Sequence, residues 1–236
     1  MHKKILSAAA IIILLINPSA YNFQQQKKDT LKHKNNAAYD LQLEMYDIYK
    51  TKQADIVMLG NSLTAGANWS ELLGRHNIVG RGIPGDVLTG YLARIDYVFM
   101  LKPKIVFILG GLNDIYAWTP IEEIYASYIK LVEELKAQNI IPVIQSTTYA
   151  SKDYAQEWGG TPEINLGRNK EVDKLNKLLF DYASRNNIDY IDINSKTAAK
   201  DNYLRPELTW DGVHLKAEGY KIWAREIEKV LRKYKL

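Results

Sequence analysis

The chain contains no cysteine. That excludes disulfides, thiolate metal sites, a cysteine nucleophile and a lipid-modified N-terminal cysteine. It also lacks a strong charge of one sign: 31 Lys and Arg against 27 Asp and Glu leave +4 over 236 residues. A nucleic-acid footprint would need a clustered basic face, so no nucleic-acid partner is expected. Histidine is scarce, with four copies. No H-E-x-x-H or comparable cluster suggests a metal. Gly80-Arg81-Gly82-Ile83-Pro84-Gly85 has dinucleotide-type glycine spacing, but it follows the second strand, and no acid stands about 20 residues on at the end of a next strand. Gly60 to Gly66 lacks the G-K-[ST] ending of a phosphate loop. No cofactor is therefore expected. What remains is an ordinary globular composition, 47% hydrophobic and 25% charged, at a length that suits one α/β domain.

The chain divides into three parts. Met1 to Ala20 has a basic start (His2, Lys3, Lys4), an apolar run from Ile5 to Ile16, and Asn17-Pro18-Ser19-Ala20. This is the layout of a secretory signal peptide, and the run is short for a transmembrane span. Export is expected, with membrane contact only through an uncleaved signal. Residues 21–36 are polar and read as a tether. Residues 37–236 read as the folded domain. Its first helix is expected over Ala37 to Lys50, packed through Leu41, Met45 and Ile48.

Beyond it, strand and helix patterns alternate. Strands are expected over residues 55–59, 77–82, 104–109, 140–146 and 188–193. Runs such as Ile105-Val106-Phe107-Ile108-Leu109 fit strands covered on both faces, as in a parallel sheet. Pro142 demotes the fourth strand toward an edge or a bulge. Helices are expected over 87–101, from a Thr119-Pro120-Ile121-Glu122 capping box to about 137, over 169–185, and over about 216–233. Residues 150–167 form a long insertion of the kind that serves as a lid or binding loop. The alternation implies a three-layer α/β domain with right-handed crossovers.

Four polar clusters fall at or near the carboxyl ends of strands, where open α/β sheets bind ligands. They are Gly60-Asn61-Ser62-Leu63, Gly82 to Asp86, Gly111-Leu112-Asn113-Asp114 and Asp211-Gly212-Val213-His214. Ser62 stands where a strand turns into a helix, with an exposed hydroxyl. A serine is a weak nucleophile without a base, and histidine is the usual base near neutral pH. His2 lies in the leader, His33 in the tether and His76 in a surface loop, which leaves His214. Asp211, three residues earlier, can fix its tautomer. The N–H groups of Ser62 and Gly85 and the side-chain amide of Asn113 can supply three oxyanion donors. Tyr116, Trp118, Tyr149, Trp158 and Trp210 lie on or near these loops, where rings could stack on sugars or wall an acyl pocket.

In the order and spacing of all four blocks the chain resembles the SGNH hydrolases, also called GDSL-type esterases and lipases. The resemblance runs from about Asp55 to Val230. It implies a flavodoxin-like α/β/α sandwich of about five parallel strands. It implies Ser62 as nucleophile, Asp211 and His214 as the rest of a triad, and Ser62, Gly85 and Asn113 at the oxyanion. Asn61 stands where the family name has aspartate. The expected function is an exported serine esterase acting on short acyl esters, foremost O-acetyl groups on carbohydrate. The alternatives are a lysophospholipase or thioesterase-type lipid acylhydrolase and, in another class, a non-catalytic carbohydrate-binding protein. Nothing in the sequence indicates an oligomeric state. Weak substrate contacts are assigned to Trp118, Trp210, Tyr116 and Trp158.

Overall fold

The computed structural model describes residues 32–236. The expected leader and most of the tether lie outside them. A one-turn 3-10 helix, Lys32–Asn35, leads into α1 (Ala37–Ile48). Then follow β1 (Ile56–Gly60), α2 (Ser62–Ala65), α3 (Trp69–Leu73), β2 (Ile78–Gly82), α4 (Leu88–Ala93), α5 (Asp96–Phe99) and β3 (Ile105–Leu109). The second half holds α6 (Leu112–Tyr116), α7 (Ile121–Ala137), β4 (Ile141–Gln145), α8 (Pro162–Arg185), β5 (Asp189–Ile191), α9 (Asn194–Thr197) and α10 (Ala217–Tyr234).

The five strands are all parallel in the order β2-β1-β3-β4-β5, the flavodoxin-like order. Every residue of β1 and β3 is buried, because helices cover both faces of the sheet. α3 packs with α10 on one side, where Trp69 and Trp223 meet edge-to-face at 4.7 Å. α4, α7 and α8 pack together on the other. Reversal of strand order between β2-β1 and β3 opens the crevice at the carboxyl ends of β1, β2 and β3. Among the described residues no helix is long and apolar enough to cross a membrane.

Several local expectations are corrected. α1 packs through Tyr39 and Tyr46, both buried, whereas Leu41 and Ile48 are each 63% exposed and Met45 43%. The tyrosines bury more apolar surface, and their hydroxyls reach backbone carbonyls of Gly90 (3.0 Å) and Gly82 (3.2 Å). The helix expected over 87–101 divides into α4 and α5 at Arg94, whose side chain turns into the interior. The hydroxyl cap belongs to another helix. Pro120, not Thr119, is the N-cap of α7, with no side-chain cap bond. Thr161 caps α8 instead, accepting from the Ile164 N–H at 3.3 Å with Pro162 in the first turn. α8 therefore takes up the end of the expected insertion.

Pro142 lies in an internal strand, neither edge nor bulge. The Ile141 N–H bonds Lys104 on the β3 side, so the missing N–H of Pro142 faces the other neighbour. Pairing with β5 begins only at Val143, so no ladder bond is lost. The end of the expected tether is packed: His33 is buried against Tyr39, with ring centroids 4.8 Å apart.

Candidate active site

β1 ends at Gly60, where a Cβ would stand 1.9 Å from the Thr64 hydroxyl. Asn61 then caps α2, its Oδ1 accepting from the Leu63 N–H at 3.0 Å. An aspartate would offer the same acceptor, so the Asn61 departure leaves the cap intact. Because Asn61 takes the capping role, the Ser62 hydroxyl is free to face outward. It lies 2.8 Å from His214 Nε2.

His214 is supplied by the loop before α10. Its Nδ1 lies 2.5 Å from Asp211 Oδ2, while Asp211 Oδ1 accepts the backbone N–H groups of Val213 (3.0 Å) and His214 (2.8 Å). Burial works to raise the Asp211 carboxyl, but the His214 side chain and these two N–H groups outweigh it and hold it below the usual carboxylate range. Gly212 has φ +98°, and a Cβ there would meet Ser151 Oγ at 2.6 Å. Its carbonyl accepts the Ser151 N–H at 2.7 Å, which ties the loop to the segment after β4. A hydroxyl, an imidazole and a carboxylate in this chain can relay a proton from oxygen to ring nitrogen and stabilise the resulting imidazolium.

The glycine block follows β2. Ile83-Pro84-Gly85-Asp86 forms a type II turn, closed by Asp86 N–H on the Ile83 carbonyl at 3.2 Å, with Gly85 at φ +72°. Among the described residues the Gly85 N–H donates to no backbone carbonyl. Asn113, on α6 after β3, donates one Nδ2 hydrogen to the Asp86 carbonyl at 2.8 Å and keeps the other. The three expected oxyanion donors thus belong to the ends of β1, β2 and β3, which are neighbours in the sheet.

Beneath them lies a residue that sequence reading missed. Arg94, fully buried, donates from Nε to Asp86 Oδ2 (2.8 Å), from Nη1 to the Arg81 carbonyl (3.0 Å) and from Nη2 to the Gly60 carbonyl (3.0 Å). It ties the turn after β2 to the end of β1. Burial pushes the Asp86 carboxyl up to about 6 against the pull of Arg94. A lone arginine between Leu92 and Ile95 carries no local signal of this role.

The aromatic expectations part company. Trp210 is 69% exposed and stacks on the His214 ring, centroids 5.6 Å apart at 19°. Trp118 is 77% exposed at φ +57° and lies 3.1 Å over the Arg168 guanidinium. It borders a cleft of about 570 Å³ walled by Ile115, Ile121 and Ile164. Tyr116 is engaged in loop packing, its hydroxyl on Asn165 Oδ1 (3.0 Å) and its ring edge-on to Tyr154. Tyr149 bonds Asp173 and lines a different cleft with Phe180 and Tyr190. Trp158 ends a 3-10 turn, and its side chain lies outside the described part.

The GDSL-like Lipase/Acylhydrolase family matches residues 58–222. A candidate acylhydrolase of Bacteroides fragilis is 27% identical with a TM-score of 0.70, covering 81% of this chain and 94% of its own. A GDSL-like lipase of Bacteroides thetaiotaomicron is 24% identical with a TM-score of 0.70, covering 83% and 98%. A variant of an acetyl xylan esterase of Geobacillus stearothermophilus is 19% identical with a TM-score of 0.61, covering 75% and 95%. The last two show likeness of fold. An N-acylneuraminate cytidylyltransferase of Streptococcus agalactiae is 27% identical over 175 residues, which is 74% of this chain and 38% of that protein. The chain therefore spans well under half the length of the curated relative it matches.

Proposed function

Because this chain belongs to the GDSL-like lipase/acylhydrolase family, we propose that it is a serine esterase, exported, that removes short acyl groups, foremost O-acetyl groups on carbohydrate. The observation that carries the chemistry is the Ser62 Oγ to His214 Nε2 contact at 2.8 Å, backed by Asp211. Ser62 Oγ attacks the ester carbonyl as its proton passes to His214 Nε2. The oxyanion receives the N–H groups of Ser62 and Gly85 and the free Nδ2 hydrogen of Asn113. Collapse expels the alcohol, which takes the proton from His214. Water then gives a proton to His214, attacks the acyl-enzyme and releases the acid with Ser62 reprotonated. A pure carbohydrate binder has no use for a base aligned on a serine.

Carbohydrate is favoured by the two exposed indoles, Trp210 beside His214 and Trp118, as stacking platforms for sugar faces. The acetyl xylan esterase likeness and the sugar-acid name of the streptococcal relative point the same way. Export rests on the leader-like Met1 to Ala20. The partner is then a small-molecule or glycan ester, with no nucleic acid and no membrane contact beyond an uncleaved leader. A lipid acylhydrolase is the second reading, favoured by the apolar walls Ile115, Ile121 and Ile164 beside Trp118.

The test is hydrolysis of p-nitrophenyl esters of graded chain length alongside acetylated glycans. Acetyl esters should be best, and Ser62→Ala should lower the rate by roughly 1000-fold or more. Rates that climb with chain length and on lysophospholipids would move the assignment to the lipid reading. Wild-type rates in Ser62→Ala would remove the serine mechanism.

A further inference from the structure

We propose that Asn36, in the stretch that reads as a tether, is a positioning residue for the oxyanion donor at Gly85. The inference rests on the esterase reading above. The Pro84–Gly85 peptide is the central peptide of a type II turn, and type I and type II turns differ by a flip of that unit. The flip would turn the Gly85 N–H through about half a circle and spoil the donor. Its orientation is therefore a variable that something must hold.

Asn36 holds it from the carbonyl end. Its Nδ2 donates to the Pro84 carbonyl at 2.7 Å, a partner 48 residues away in sequence. In a trans peptide the C=O and N–H point in opposite directions. A carbonyl fixed on Asn36 therefore sends the Gly85 N–H away from Asn36, where among the described residues it donates to no backbone carbonyl. The amide cannot be turned over, because its Oδ1 already accepts the Ala38 N–H at 3.0 Å as the cap of α1. The same side chain also covers the turn. A Cβ on Gly85 would stand 3.3 Å from Asn36 Nδ2.

The helix that presents Asn36 is itself fastened to both flanks of the turn. Tyr46 bonds the Gly82 carbonyl before it, and Tyr39 bonds the Gly90 carbonyl after it. On the far side of the turn Asn113 donates to the Asp86 carbonyl. Asn36 and Asn113 thus hold the carbonyls of Pro84 and Asp86, the residues on either side of Gly85 in the chain.

Two variants separate positioning from folding, since Asp and Ser cap a helix about as well as Asn. Asn36→Asp keeps the acceptor for Ala38 and loses the donor to Pro84. Asn36→Ser keeps the cap and is too short to reach Pro84 while it caps. Losing one oxyanion donor outright typically costs about 100- to 1000-fold in kcat. Loosening one should lower kcat on p-nitrophenyl acetate by about 10- to 100-fold, with KM within about 3-fold and Tm within about 2 °C. The Asn36→Asp deficit relative to wild type should shrink from pH 7 to pH 4, where a protonated carboxyl can donate to Pro84; the Asn36→Ser deficit should not. Wild-type kcat in either variant, a loss confined to KM, or a loss that tracks Tm would overturn the proposal. A wild-type enzyme without Ser62-dependent hydrolysis is a different result: it sinks the esterase reading, and this inference with it.

Discussion

Asp211 meets three donors with two oxygens: the His214 ring and the N–H groups of Val213 and His214. Held below the usual carboxylate range, it remains an anion from pH 5 upward. The sign follows: its contribution to stability is present above the unfolded carboxylate range and is lost as pH falls through its lower folded value. Over pH 5 to 8 Asp211 stays ionised, so it adds no pH dependence to kcat/KM in that range. Asp211→Asn should retain the fold and lower kcat by about 10,000-fold, measured on p-nitrophenyl acetate, because the imidazole loses the anion that sets its tautomer.

At the scale of elements, legibility followed how local each signal was. β1 and β3 announce themselves through unbroken aliphatic runs, and each site block stands at a strand end or before the last helix. α1 is found where expected, but its aliphatic stripe of Leu41, Met45 and Ile48 faces solvent, while the buried pair is Tyr39 and Tyr46. Both threonine–proline pairs stand at a helix start, but the N-cap of α7 is Pro120, whereas that of α8 is Thr161. Arg94 and Asn36 had no local signature, since their partners are carbonyls brought near by the sheet. The α1 reading has a direct check. In urea unfolding, Leu41→Ala should stay within about 0.5 kcal/mol of wild type. Tyr46→Ala should cost about 3–5 kcal/mol, as large buried rings do. Equal effects would mean that α1 packs otherwise.

Across the whole molecule, one buried ion pair joins the strand ends that carry the site. Arg94 cannot shed its charge, whereas Asp86, already raised to about 6, can. The two truncations should therefore differ. Asp86→Ala strands a buried guanidinium and should cost about 3–5 kcal/mol in chemical unfolding. Arg94→Met leaves a carboxyl that can become neutral. A carboxyl with a raised folded pKa stabilises at low pH and loses that contribution as pH rises through the folded value. Arg94→Met should therefore be more stable at pH 5 than at pH 8, and Asp86→Ala should show no such gain.

The contact between Ser62 and His214 joins residues 152 positions apart. A ribosome delivers the hydroxyl 152 residues before the imidazole, at about 5–20 residues per second. For that interval the serine exists without its base. Contacts of such long range form late and slowly. On the proposed mechanism, a chain that has not yet received the loop before α10 should be silent toward esters, and activity should appear when that loop docks on the sheet. On the same proposal, recovery of hydrolysis after denaturation should report closure of the fold from β1 to the loop before α10, not of either part alone.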